Sequence, residues 1–315
     1  MQPPLSLPYT LCISDRMVKL IVDSGSTKTD WCFAMPSGAL VSVKTGGINP
    51  AVQDAEIIEA TIKNHLLPSL PAQDIDPNEV GEIYYYGAGC TPARLPIMRK
   101  LLTEAFGCAQ TVEICSDLLA AARALCLHKK GIACILGTGA NSCLYDGEGI
   151  VAQTPALGYI LGDEGSGAVL GRNFINGILK GWLPEELRNL FMAEWKLDVA
   201  EIINKVYREQ YPNRFLASIS TFIASNMERY PQLADMGVQN FEKFIDVNIQ
   251  PYLKLETEAE KNGEKAQSAR EINAVGSIAY YFRNQLERAA NNRSLSVGRI
   301  IKSPMQGLVE YHLGE

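Results

Sequence analysis

Apolar and polar positions along the chain fall into a few sharp rhythms. The run Leu20-Ile21-Val22 ends at Asp23, a small-residue turn follows, and a second apolar stretch from Trp31 to Met35 stops at Pro36-Ser37-Gly38. This pattern predicts a strand, a glycine turn and a strand. The same layout returns in Ile132–Leu136, Gly137-Thr138-Gly139 and Ala140–Tyr145, closed by Asp146-Gly147-Glu148-Gly149. Between the two hairpins, Lys44–Pro50 reads as a loop. Asp54–Leu67 reads as a helix with Ile57, Ile58, Ile62 and Leu66 on one side. Val80–Tyr86 then reads as a strand running into Gly87–Pro92, Ala93–Phe106 as a helix, and Thr111–Cys115 as a strand ending at Ser116-Asp117. Leu118–Leu127 has strong helix propensity.

After the second hairpin comes a glycine-rich run, Leu157–Gly167, then a helix over Ala168–Leu179. Glu185–Tyr252 is largely helical, with breaks near Pro212 and Pro231. Lys254–Glu271 is rich in Glu and Lys, as an exposed helix end and loop would be. Ile272–Val275 predicts a strand, Gly276-Ser277 a turn into a helix, and Ile300–His312 a strand, a turn and a short helix. Two glycine hairpins, each opening a stretch of mixed helix and strand, predict an α/β chain duplicated into two domains with a cleft between the copies. A chance likeness of two hairpins is the alternative.

Composition narrows the partners. With 315 residues the chain is long enough for two domains with separate cores. Its 29 basic and 35 acidic residues give a net charge of −6 and no basic patch, so nucleic acid is not an expected partner. No apolar run is long enough to span a bilayer, so no membrane partner is expected. The eight cysteines form no C-x-x-C pair and several lie inside apolar runs. That fits buried free thiols in a reducing cytoplasm and signals neither zinc nor disulfides. Residues 1–16 carry three prolines and no amphipathic period, which reads as a disordered extension or an upstream start ahead of Met17.

The candidate chemistry sits at the turns. Gly25 lets the backbone approach an anion, and the Ser26, Thr27 and Thr29 hydroxyls can add donors. Asp23, at the strand end, could hold Mg²⁺ directly or through water. A plain hairpin with a polar turn is the competing reading. Asn49 is either a turn residue, as its loop composition favours, or a polar finger to a ligand. Either Ser116 or Asp117 is simply the cap of the helix that follows, or Asp117 is a base that takes a proton from an attacking hydroxyl. Asp163 and Glu164 suit a helix N-terminus or the hydroxyls of a sugar. Gly276 could let a base or ribose lie against the backbone, or serve only as a strand-to-helix turn.

Five segments occur together, in order: Val22–Thr29, Ser116-Asp117, Leu136–Ser142, Gly162–Ser166 and Val275–Tyr280. With this set, residues 17 to 313 resemble the BadF/BadG-type ATPases, and among them the N-acetylglucosamine kinases. The resemblance implies two ribonuclease H-like domains of the actin/hexokinase-like fold closing on ATP and a sugar. It assigns Asp23 to Mg²⁺, and Ser24, Gly25, Ser26, Thr27 and Lys28 to phosphate. It assigns Gly137, Thr138 and Gly139 to phosphate as well, Gly276 and Ser277 to adenosine, and Asn49, Gly158, Asp163 and Glu164 to the sugar, with Asp117 as base. It also implies that the last helix returns to the first domain, giving 17–116 plus about 300–315 as one domain and 117–299, with a helical insertion, as the other.

Some departures separate subfamilies. The zinc-binding Cys cluster of ROK-type sugar kinases is absent. The cluster-ligating Cys of the dehydratase activators is also absent, since Leu161-Gly162-Asp163-Glu164-Gly165-Ser166 stands in that region. The Gly46–Pro50 loop differs from that of the animal N-acetylglucosamine kinases, which bears on the N-acetyl pocket. The expectation is an ATP- and Mg²⁺-dependent sugar kinase acting on an amino sugar, with the 6-hydroxyl of N-acetylglucosamine as the leading acceptor. An ATPase that drives a partner and a sensor without turnover are the alternatives. Oligomeric state, a homodimer among the options, is not legible.

Overall fold

The computed structural model describes residues 17–25, 27–261 and 270–314. Ser26 and the segment 1–16, on which two of the expectations fall, lie outside the described residues. The chain divides into two compact units at Ala120/Ala121.

The first unit is built on β1 (Val18–Ser24), β2 (Lys28–Ala34), β3 (Leu40–Gly46), β4 (Val80–Gly87) and β5 (Thr111–Ser116), in the spatial order β3-β2-β1-β4-β5. β1, β2 and β3 form an antiparallel meander, and β4 and β5 add in parallel. β1 and β4 are central and read as near-continuous apolar runs because both of their faces are covered. β3 was not visible as a strand in the sequence, and Lys44–Gly46, read there as loop, are its last residues. Its positions alternate between exposed and half-buried with none buried, so it carries no strong apolar signal. The expected 54–67 helix is α-helical to Thr61 and continues through a π-helical turn, Ile62–Leu66. The core gathers Val22, Trp31, Phe33, Ile83, Tyr85, Leu102 and Phe106.

The second unit repeats the plan with β6 (Gly131–Leu136), β7 (Ala140–Tyr145), β8 (Ile150–Gln153), β9 (Glu271–Val275) and β10 (Ser296–Ile301). Their order is β8-β7-β6-β9-β10, again a meander followed by two parallel strands. Identical strand order in both units bears out the duplication expected from the hairpins. The helical run from Gly158 to Lys261 lies between β8 and β9. Pro212 and Pro231, expected as breaks, stand at the first turns of new helices, where a missing N–H costs nothing. Phe174, Phe191 and Phe222 pack at the centre of this core with centroids 5.2–5.5 Å apart.

Residues about 300–315 were expected with the first domain; the described part of this tail, 300–314, groups with the second unit. Ile300 and Ile301 pair with Ala274 and Val275 as the edge of the second sheet. The last helix, Met305–Leu313, sits so close to the helix Asp117–Cys126 that a Cβ on Gly307 would lie 2.2 Å from the Ala124 carbonyl oxygen.

Candidate functional site

In the first unit the β1–β2 register sets Asp23 opposite Asp30 and Ser24 opposite Thr29. The turn closes with the Gly25 N–H donating to the Lys28 carbonyl at 2.9 Å. Thr27 and Lys28 are exposed at its tip, and Lys28 Nζ reaches back to Asp30 Oδ2 at 2.5 Å. Asp30 in turn has Lys44 Nζ 3.9 Å from its other oxygen.

Ser24 departs from its expected role at a phosphate. It is 1% exposed, and its hydroxyl lies 2.7 Å from Thr29 Oγ1 and 3.0 Å from the Ile48 carbonyl. Thr29, also expected to donate, is buried and gives its hydroxyl hydrogen bond to the Gly46 carbonyl at 3.1 Å. Alternation along a strand explains both, because residues next to the turn still point to fixed faces of the sheet. These two hydroxyls hold the hairpin to the 46–48 loop.

Asp23 stands in a strained electrostatic position. Burial, then the facing Asp30, push its carboxyl up to about 7, with Lys28 opposing and Asp117 adding to the rise. Asp117 is half-buried at the start of the helix Asp117–Cys126. Burial raises its carboxyl above the usual range, while its own amide and that of Leu118 work the other way. The cap of this helix is Ser116, whose Oγ accepts the Leu119 N–H at 3.2 Å. The Cys90 thiol is pushed up to about 12 by burial and by the nearby Asp117.

Asn49 makes turn hydrogen bonds of the kind its loop composition favoured. Its Oδ1 accepts the Ala51 N–H at 3.0 Å, and its own N–H donates to Gln53 Oε1 at 2.8 Å. Gln53 Nε2 donates to the Gly47 carbonyl at 3.1 Å, so one side chain ties the loop at both ends. Gly89, at φ +76°, lies so close that a Cβ there would be 2.0 Å from Asn49 Oδ1.

In the second unit the Gly137–Gly139 turn is closed by the Gly137 N–H donating to the Gly139 carbonyl at 3.0 Å. Its other carbonyls are also spoken for. Gly137 O accepts the Gly167 N–H at 2.8 Å and Thr138 O accepts the Ala168 N–H at 3.2 Å, at the start of the helix Gly167–Lys180. A trans peptide is planar, so the N–H groups of Thr138 and Gly139 point the opposite way, away from that helix. Ser166 caps the same helix by accepting the Val169 N–H at 3.2 Å.

Asp163 packs onto this turn. Its Oδ1 accepts the Ala140 N–H at 3.2 Å, and a Cβ on Gly139 would meet its Oδ2 at 3.0 Å. Burial raises its carboxyl, and Glu164 adds to the rise. Glu164 does not join it. It lines a separate cavity of ≈ 380 Å³ with Arg172, Asn173, Trp182 and Lys243. Gly158, at φ +73°, starts a one-turn helix that is joined to the Asp163 loop by the Gly162 N–H to Gly158 O bond at 2.8 Å.

Gly276 sits at φ +126° between β9 and its helix, where a Cβ would lie 2.3 Å from the Leu136 carbonyl. Only glycine lets this turn nest against the base of the Gly137–Gly139 turn. Ser277 is exposed and lines a cavity of ≈ 300 Å³ with Ser220, Thr221, Tyr281 and Phe282. A largely apolar wall with a few hydroxyls suits a flat heterocycle. The residues that sequence reasoning missed are Asp30, Gln53 and Asn240. Only Asp30 had a readable signal, since a short hairpin turn puts it across from Asp23.

No protein-family model matches the chain, and no curated protein sequence does. Among solved structures, a protein of Porphyromonas gingivalis provisionally named an N-acetylglucosamine kinase is 43% identical, covering 93% of this chain and 98% of that one, with a TM-score of 0.82. A protein of Chromobacterium violaceum with the same provisional name is 16% identical, covering 94% and 99%, with a TM-score of 0.69. A ROK family glucokinase of Streptomyces griseus, solved with glucose and AMPPNP, shares the fold at 14% identity and a TM-score of 0.53, covering 93% and 97%.

Proposed function

The chain belongs to the N-acetylglucosamine kinase-like family of the actin/hexokinase-like ATPase superfamily, and from that premise we propose that it phosphorylates the 6-hydroxyl of N-acetylglucosamine with ATP. It is a phosphotransferase of the sugar kinase kind, with an alcohol group as acceptor. The amino sugar, the nucleotide and Mg²⁺ are our reading.

The observation that carries it is the division of labour between Ser116 and Asp117. Ser116 takes the Leu119 N–H, so the helix start has a side-chain cap besides the Asp117 carboxyl. The Asp117 carboxylate is desolvated and held above the usual range, which suits a group that must take a proton near neutral pH. In the transfer, the sugar oxygen forms its bond to the γ-phosphorus as the bond from that phosphorus to the bridging oxygen breaks. ADP leaves with the electron pair, and the hydroxyl proton goes to Asp117.

The donor set suits Mg²⁺. This ion prefers one or two carboxylates, water and the phosphates of its substrate over a cage made of protein alone. Asp23 offers a carboxylate whose proton affinity is already raised by burial and by Asp30. Among the described residues no three His, Cys, Asp or Glu side chains draw together as such a cage. Mg²⁺ at Asp23 would neutralise charge on the phosphates. We assign Gly25, Thr27 and Lys28 to phosphate, together with the outward N–H groups of Thr138 and Gly139, and the cavity beside Ser277 to adenosine. Asp163, with Asn49 and Gly158, is assigned to the sugar.

The test is ATP consumption over a panel of hexoses and amino sugars, with the product followed by phosphorus NMR. N-acetylglucosamine 6-phosphate as the main product is expected. ATP hydrolysis indifferent to any sugar would replace this reading with a partner-driving ATPase. Tight sugar binding with no turnover would replace it with a sensor.

A further inference from the structure

The Gly162–Ser166 loop holds Asp163 at φ +58° and Gly165 at φ +83°. A non-glycine residue rarely adopts the first of these, and such a loop persists only where its surroundings over-determine it. Part of the hold is local. The Asp163 carbonyl accepts the Ser166 N–H at 3.0 Å, and its side chain accepts the Ala140 N–H at 3.2 Å.

The rest comes from Asn240, about one quarter of the chain away on the helix Pro231–Phe244. Asn240 is 4% exposed. Its Oδ1 accepts the Gly165 N–H at 3.2 Å and its Nδ2 donates to the Ser166 carbonyl at 3.2 Å. Gly165 and Ser166 are themselves buried, so neither backbone group can turn to water instead.

We infer that Asn240 is a positioning residue for the sugar site, fixing Asp163 through the backbone of Gly165 and Ser166. The inference rests on the reading of Asp163 as a sugar-facing group. The requirement is for one acceptor and one donor in a fixed plane, which a carboxamide supplies. Leucine fills a similar volume, leaves the Gly165 N–H unpaired and leaves the Ser166 carbonyl with the Leu170 N–H alone. An ionised aspartate keeps the acceptor and sets a negative oxygen against the Ser166 carbonyl. A protonated aspartic acid restores both bonds.

That last property gives a test that a packing role alone would not pass. The sugar KM, ATP KM and kcat of wild type, Asn240→Asp, Asn240→Leu and Asp163→Asn are measured on the full chain from about pH 5.5 to about 8.5. Each variant is compared with wild type at the same pH, using the sugar that turns over best. The charged groups around position 240 are Glu164 from the loop, Arg172 from the helix Gly167–Lys180 and Lys243 from its own helix. Glu164 raises the proton affinity of the new carboxyl, and the two cations lower it.

Asn240→Asp is expected to raise the sugar KM about tenfold near pH 8 and to return toward wild type as the pH falls, with a smaller change in ATP KM. Asn240→Leu should stay impaired at every pH. If it does not fold, the two ends of the Asn240→Asp profile carry the same information. A raised sugar KM in Asp163→Asn beside a wild-type sugar KM in Asn240→Asp at every pH overturns the inference and leaves the role of Asp163 standing. A loss confined to melting temperature and kcat overturns it too. An unchanged sugar KM in Asp163→Asn removes the role of Asp163, and this inference with it.

Discussion

On the proposed reading, two neighbouring residues at the start of one helix carry different tasks, Ser116 a structural one and Asp117 a chemical one. Ser116→Ala should cost about 1 kcal/mol of stability, the usual value of a lost N-cap, with little change in turnover per folded molecule. Asp117→Asn should do the reverse: turnover falls about 10²–10⁴-fold while the melting temperature holds, because an amide cannot take the proton. Calorimetry and steady-state rates on the two variants check the split. An Asp117→Asn enzyme as fast as wild type would leave the kinase without its base.

Asp23 gives a second residue-scale expectation, and its sign is unusual for an aspartate. Its carboxyl moves from the ordinary 3.8 up to about 7 in the folded chain. Between these values the folded chain holds the proton more tightly than the unfolded chain does. Its contribution to stability is therefore present below about pH 4 and is lost as the pH rises to about 7. Asp23→Asn removes the dependence. The variant should melt several degrees above wild type near pH 8 without nucleotide, and the gap should close toward pH 4. Turnover should be lost in the same variant. A melting temperature at or below wild type near pH 8 would mean that Asp23 is not under electrostatic strain.

At the scale of elements, the two glycine turns were legible and what braces them was not. The hairpins around Gly25 and Gly137–Gly139 stand where the apolar rhythm puts them, because a buried two-stranded ribbon leaves a strong local signature. β3 left none, since no residue along it is buried. Neither Ser24 nor Thr29 could be read as structural. Their hydroxyls look the same in a sequence whether they meet phosphate or, as here, each other and the 46–48 loop. Gly276 and Gly137 separate glycine needed for space from glycine needed for approach. Gly276→Ala forces a Cβ onto the Leu136 carbonyl at an unfavourable φ and should cost about 2–4 kcal/mol. Gly137→Ala meets nothing within 4 Å, so it should fold normally and show its effect as a raised ATP KM. Thermal melts of both variants beside ATP titrations decide it.

At the scale of the molecule, the duplication expected from two hairpins is present as the same strand order twice. The tail was expected with the first domain, and its strand lies at the edge of the second sheet. The run Ile300-Ile301 is apolar enough for either sheet, and its parallel partner Ala274-Val275 is known only once the chain is folded. Asn240 escaped for the same reason, because its partners are 74 and 75 residues away. Charge was plain from the start. At −6, with a pI near 5.3, the protein should bind an anion exchanger and pass through heparin at pH 7. Retention on heparin at physiological salt would reveal a basic face that the overall balance conceals.

The seating of the Gly137 and Thr138 carbonyls on the first amides of the helix Gly167–Lys180 has a consequence for the entropy of binding. Glycine has more backbone freedom to lose than any other residue, and fixing one residue costs about 1–2 kcal/mol. A floppy glycine turn would meet that cost each time an anion arrived. In this turn the cost is met during folding, and it is shared with a helix that needed acceptors for its first amides anyway. The Thr138 and Gly139 amides should therefore be as still on the nanosecond scale without nucleotide as with it, and capture of a phosphate should involve no slow ordering step.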